Sequence, residues 1–199
     1  FDENNQVSFG LVADLSYHNP YMSPFDEMQR LKTHPVIKNV LEGGKRISYG
    51  ARALTKGGLN SLPKFTFPGG VLVGDDAGFL NPAKIKGTHT SMKSGMLAAE
   101  AIFEALQADR QHDEVVAYTT MYKESWLYQD NYESRNFSPA IHRMGLFMGG
   151  AFTFIEHNLL KGKMPLTLHD SIPDYDQLER ANHAYQPTYL KPDGKLVFD

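Results

Sequence analysis

Residues 67–106 read FPGGVLVGDDAGFLNPAKIKGTHTSMKSGMLAAEAIFEAL, and this stretch decides the fold. Val71, Leu72 and Val73 form an apolar run too short for a helix, which predicts a buried strand. Gly74, Asp75, Asp76, Ala77 and Gly78 follow at once. Small residues there let the backbone approach a ligand, and a carboxylate accepts hydrogen bonds from hydroxyls. After a second glycine turn, Gly87, Thr88 and Thr90 open a helix rich in Ala, Met and Leu, predicted over about residues 87–106. Its first N–H groups and positive dipole end suit an anion or an electron-rich carbonyl. Strand, acidic glycine turn and helix N-terminus together describe a cofactor cradle.

The composition bounds what surrounds this cradle. A chain of 199 residues, 41% hydrophobic and 22% charged, suits one globular domain or two small interlocked ones. A net charge of -3 without a basic run gives no reason to propose nucleic acid. Cysteine is absent, which excludes disulfides, thiolate chemistry and cysteine-ligated zinc or iron–sulfur sites within these residues. The eight histidines form no metal-ligand spacing, and structural roles are expected for His89 and His142. No apolar stretch reaches the ~20 residues of a spanning helix. The opening FDENNQVSFG is acidic, lacks an apolar core and has no initiating Met, so it reads as the start of a fragment rather than a signal or transit peptide.

Upstream, residues 6–17 (QVSFGLVADLSY) are rich in β-formers and predict a strand ended by Asn19-Pro20. Ser23-Pro24 has helix-starting chemistry for a helix to Lys32, and a short second turn is expected over residues 36–41. Residues 45–54 read as another strand, with Ile47, Tyr49, Ala51 and Ala53 on one face and Arg46, Ser48 and Arg52 on the other. Arg46 and Arg52 could there meet an acidic partner or an inter-domain carboxylate, or simply form a polar face. Downstream, helices are predicted over about residues 113–133 and 140–160, followed by an extended Pro-, Asp- and His-rich tail.

The Gly-Asp turn after a strand resembles the second flavin-binding motif of glutathione-reductase-type FAD enzymes. More narrowly, the run Lys84-Ile85-Lys86-Gly87-Thr88-His89-Thr90 with Lys93-Ser94-Gly95, joined to Glu42-Gly43-Gly44-Lys45-Arg46, resembles the electron transfer flavoprotein–ubiquinone oxidoreductases. This likeness extends over most of the chain. It implies an α+β fold: a fragment of a glutathione-reductase-type FAD fold with substrate-domain strands, followed by a helical, membrane-facing region. Residues 1–64 then belong to the ubiquinone-binding domain. Residues 65–110 would be the C-terminal part of the FAD domain, and 111–199 a helical region with an extended tail.

The same resemblance implies FAD contacts at Gly74, Asp75, Ala77, Gly78, Asn81, Gly87 and Thr88. Asp75 would hold the ribityl chain, unless it only bonds its own turn backbone. Thr88 would meet the pyrimidine edge of the flavin, or cap the helix, or do both. Asn81 would help tune the ring, although Asn before Pro is also an ordinary turn former. Lys84, Lys86 and Lys93 read as solvated surface lysines rather than a phosphate clamp.

No side chain is expected to act as acid, base or nucleophile. The implied enzyme takes electrons from reduced electron transfer flavoprotein and passes them through FAD and a 4Fe-4S cluster to ubiquinone. It would sit on the bacterial cytoplasmic or mitochondrial matrix face of the inner membrane. Residues 144–160, apolar but interrupted by Glu156 and His157, would contact that membrane. Two motifs of the resembled enzymes are missing here: the G-x-G-x-x-G that holds the adenine end, and the cysteines of the cluster. A cluster-free flavin-dependent quinone or prenyl-lipid reductase, and a non-catalytic membrane-peripheral binding domain, are the alternative readings.

Overall fold

A computed structural model describes residues 3–170 and 172–198. The chain divides into two compact units, Phe1–Ala51 with Ser171–Asp199, and Arg52–Asp170. Secondary structure is mixed, mostly helical with a two-stranded sheet, an α+β arrangement.

In the first unit, helix α1 spans Pro24–Lys32 and α2 spans Pro35–Leu41. Proline at the first helical position of each carries no N–H to waste, and Ser23 Oγ accepts from the Asp26 N–H at 3.3 Å. The C-terminal tail lies across α1. Tyr189 Oη accepts from the Ser23 N–H at 3.0 Å and donates to Glu27 at 3.2 Å, while the buried Gln29 accepts from the Phe198 N–H at 3.1 Å. Asp193 folds the tail by accepting the N–H groups of Lys195, Leu196 and Val197, and these bonds hold its carboxyl below the usual range.

Neither strand expected in this part of the sequence forms. Residues 6–17 and 45–54 belong to no ladder among the described residues, and Ile47 and Tyr49 are 72% and 82% exposed. Alternating apolar residues mark a face suited to burial. A strand exists only where a neighbouring strand takes its backbone N–H and C=O groups.

In the second unit a 3-10 turn, Gly58–Ser61, precedes a hairpin. Strands β1 (Thr66–Phe67) and β2 (Gly70–Val71) pair antiparallel, with Thr66 opposite Val71. Pro68 and Gly69 make the turn, Gly69 adopting φ +75. The strand expected at 71–73 is therefore shorter and shifted: only Val71 pairs, although Leu72 still donates to Phe65 O at 2.9 Å. A 3-10 turn, Gly74–Ala77, leads through a loop to α3 (Thr88–Gln107).

The helix expected over 113–133 is two helices, α4 (Val116–Glu124) and α5 (Trp126–Glu133). Ser125 breaks it with extended backbone (ψ 161). The apolar periodicity runs on across the break, and so concealed it. The core gathers Phe65, Ala77, Phe79, Leu97, Ala98, Ala101, Tyr118, Tyr122 and Leu127. Phe65 stands edge-on to Phe79, Tyr118 and Tyr122 at 5.2–5.4 Å, a favoured aromatic geometry. Burial pushes the phenols of Tyr118 and Tyr122 up to about 12, so both stay protonated.

Helix α6 (Phe137–Asn158) begins three residues earlier than expected and is not one rod. Gly145 at φ 71, ψ 177 folds it back so far that a Cβ at Gly149 would lie 2.6 Å from Ala140 O. That backbone conformation is open essentially to glycine alone. Gly145→Ala is accordingly expected to cost about 1–3 kcal/mol, read as a lower urea midpoint of the full-length protein; an unchanged midpoint would show that the fold-back carries no strain.

Arg135 closes the loop after α6. Its guanidinium, 2% exposed, donates to the carbonyls of Tyr132, Gly162, Met164 and Leu166, and its Nε donates to Thr167 Oγ1 at 3.1 Å. Asn136 beside it donates to Leu166 O and to the Glu156 carboxylate, and accepts from the Leu168 N–H.

Candidate functional site

The turn between β2 and α3 has the shape of a cradle. Gly74 and Gly78 adopt φ +63 and +87, and a Cβ on Gly74 would lie 3.1 Å from Ser91 Oγ on the first turn of α3. The Gly74 N–H donates to Ser94 Oγ at 2.9 Å, and Ser94 donates in turn to Ser91 O at 2.8 Å. Small residues thus let the turn sit directly against the helix start. The backbone closes on itself through Gly78 N–H to Asp75 O and Phe79 N–H to Gly74 O.

Asp75 is the unsatisfied group of this turn. Its Oδ1 is buried and accepts no hydrogen bond, and its side chain bonds no backbone of the turn. A carboxylate oxygen removed from water without a donor is costly, which makes this atom a candidate acceptor for a hydrogen bond that the chain itself does not supply. The neighbouring Asp76 is exposed and lies 4.0 Å from Arg52. Ala77 is fully buried in the core below, so its part is to seat the turn.

Gly87 is the N-cap of α3 and offers no side chain to the free N–H groups of the first turn. Thr88, the first helical residue, is exposed and does not cap the helix. Thr90 is instead completely buried, donating to Gly87 O at 2.8 Å. Hydroxyl and N–H groups at this end therefore remain available to a ligand.

Asn81 is committed differently. Its Oδ1 accepts from the N–H groups of Ala83 and Lys84, both at 3.0 Å, and its Nδ2 donates to Asp130 at 2.8 Å. Asn81 shapes the second turn from within. Lys84 is not a free surface lysine, because its ammonium pairs with Asp130. Asp130 also lies 3.7 Å from His89, whose ring stacks on Trp126 at 5.8 Å. Burial works to raise the Asp130 carboxyl, but hydrogen bonds from Lys84 and Asn81 and the Lys84 charge outweigh it and hold it low. The sequence does not single out Asp130, since one acid in a polar helix face carries no signal of its three partners. His142 pairs with Asp170 at 3.0 Å, and no metal-holding cluster exists among the described residues.

After its fold-back, α6 presents an uncovered apolar surface. Leu146, Phe147 and Met148 are exposed, Phe147 at 89%, as are Phe154, Ile155 and Leu159. Glu156 and Thr153 face inward. No described helix is long and apolar enough to cross a membrane. In the first unit, Arg46 lies 4.0 Å over the Phe198 ring and 5.2 Å over Tyr49, contacts with aromatic faces, and it pairs with no carboxylate among the described residues.

Comparison with known proteins identifies what the chain is similar to. The family described as "ETF-QO, ubiquinone-binding" matches residues 1–54. The chain is 62% identical over 198 residues to the electron transfer flavoprotein-ubiquinone oxidoreductase of Pseudomonas aeruginosa, covering 99% of this chain and 36% of that protein. It is 47% identical over 199 residues to the mitochondrial protein of that name from Homo sapiens, covering 97% of this chain and 32% of that one. The Arabidopsis thaliana mitochondrial protein of that name is 47% identical over 196 residues, covering 98% and 30%. The chain thus spans about a third of the length of these relatives. On this similarity the chain belongs to the electron transfer flavoprotein–ubiquinone oxidoreductase family.

Proposed function

We propose that the full-length protein is a membrane-associated oxidoreductase that passes electrons from reduced electron transfer flavoprotein to ubiquinone, with FAD held partly by this chain. The observation that carries the reading is the buried, donorless Asp75 Oδ1, placed in a glycine turn against the open start of α3. These residues fit a flavin: a polyol hydroxyl would satisfy Asp75, and Gly74 and Gly78 let the backbone come close. The exposed Thr88 hydroxyl and the first N–H groups of α3 would face the electron-rich carbonyl edge of the ring. They would stabilise negative charge at that edge of a bound flavin. FAD, when bound, supplies the electron-accepting ring, while the protein sets its position and potential.

With no cysteine, these residues do not fit a 4Fe-4S cluster; such a cluster in the full-length protein would take its ligands elsewhere. The apolar face of α6 supports peripheral contact with a membrane surface, and we assign that surface to the bacterial cytoplasmic or mitochondrial matrix face of the inner membrane. The test is to purify the full-length protein and supply reduced electron transfer flavoprotein and a short-chain ubiquinone. Bound flavin by absorbance and quinone reduction are expected, and a low-temperature EPR signal reports a cluster. Flavin and quinone reduction without that signal would indicate a cluster-free quinone reductase. Absence of flavin would overturn the enzyme reading and favour a binding domain.

A further inference from the structure

The two halves of the cradle come from separate elements. Asp75 sits in the turn after β2, while Thr88 and the free N–H groups belong to α3. Their spacing is set by whatever ties the turn to the helix. Two of the turn's bonds are internal, Gly78 N–H to Asp75 O at 2.9 Å and Phe79 N–H to Gly74 O at 3.2 Å. These shape the turn without locating it. The bond that locates it runs from the N–H of the buried Gly74 to Ser94 Oγ at 2.9 Å.

Ser94 is fully buried and lies nearly two helical turns beyond Thr88, about 9 Å along α3 at the usual rise. Its own hydroxyl hydrogen is committed to Ser91 O at 2.8 Å, which leaves its lone pairs to accept from the turn. A Cβ on Gly74 would stand 3.1 Å from Ser91 Oγ, so the turn rests against the Ser91–Ser94 step of the helix. Tyr118 in α4 holds the chain just ahead, its phenol donating to Leu72 O at 3.4 Å. Gly74 is thus fixed by a side chain of α3. The next residue, Asp75, has an Oδ1 that accepts no bond, so its carboxylate points where the backbone carries it.

We infer that Ser94 is a positioning residue for the flavin: its hydroxyl sets the spacing between the Asp75 carboxylate and the start of α3, so that one ligand reaches both. The inference rests on the flavin reading of this cradle. With Ser94 reduced to alanine, the buried Gly74 N–H loses its acceptor and the turn is free to shift against the helix. A ligand bonded at Asp75 then meets the start of α3 out of register. Ser94 itself touches no flavin atom; it acts through Asp75.

The test is reconstitution of flavin-depleted full-length protein with FAD, comparing wild type, Ser94→Ala, Asp75→Ala and the double variant. Ser94→Ala should weaken FAD binding about three- to tenfold, the equivalent of one neutral hydrogen bond. In the Asp75→Ala background the same change should weaken binding by less than about twofold further, because its effect passes through Asp75. Ala101→Gly, at a buried position on the same helix, should lower the melting temperature yet leave FAD affinity at the wild-type value. Ser94→Cys keeps a weak acceptor and should fall between Ser94→Ala and wild type; it decides the matter if Ser94→Ala does not fold. Wild-type affinity in the Ser94 variant, an equal loss with and without Asp75, or the same loss in Ala101→Gly overturns the inference while leaving the flavin reading in place. No FAD binding by the wild-type protein overturns both.

Discussion

Asp75→Ala in the full-length protein should weaken flavin binding about tenfold or more and so lower the flavin retained per polypeptide, the equivalent of losing one hydrogen bond to a charged acceptor. The direction of the stability change separates this from a folding defect. Asp75 Oδ1 is buried without a donor, so the flavin-free variant should melt no lower than the flavin-free wild type. Asp75→Asn, which keeps an acceptor oxygen but not the charge, should fall between the two. Asp76→Ala, at an exposed position paired only loosely with Arg52, should leave occupancy unchanged. Flavin content measured by absorbance after desalting decides the point; wild-type occupancy in Asp75→Ala would remove Asp75 from the site.

Phe147→Asp should release the full-length protein from liposomes. A phenyl ring that is 89% exposed makes almost no contact within this chain, and on the membrane reading its apolar area enters the bilayer. Losing that burial and placing a carboxylate at the interface should weaken partitioning about thirtyfold or more. Phe154→Asp, at 63% exposure, should act in the same direction. Phe152 is half-buried, so an acid there would confuse lost binding with lost packing. Flotation with liposomes gives the binding, and a melting curve gives the fold. Wild-type flotation by Phe147→Asp at an unchanged melting temperature would take this face off the membrane.

Much of the second unit was legible in residues 67–106. Helix α3 lies almost where its Ala and Leu content placed it, because intrinsic propensity and a glycine before the first turn act locally. The turn at 74–78 was legible for the same reason: its glycines adopt the positive φ that only glycine takes cheaply. The breaks at Ser125 and Gly145 were not. Apolar periodicity continues across Ser125, and Gly145 is one of several glycines in MGLFMGGAF. The strands at 6–17 and 45–54 failed because side-chain alternation describes one partner of a ladder that needs two.

What the sequence determined by itself was local: a glycine–aspartate turn running into a helix start, an apolar stretch too short to span a bilayer, and no cysteine. Those follow from residue type and spacing. Only the tertiary structure decided which polar atoms find partners. It leaves Asp75 Oδ1 without a donor while Asn81, Lys84 and Arg135 are used up within the chain. Hydrogen-bond satisfaction depends on groups brought together from distant positions, such as Lys84 with Asp130 or Asn136 with Glu156. A residue's identity gives its bonding capacity, and the fold alone determines how much of that capacity is left for a ligand.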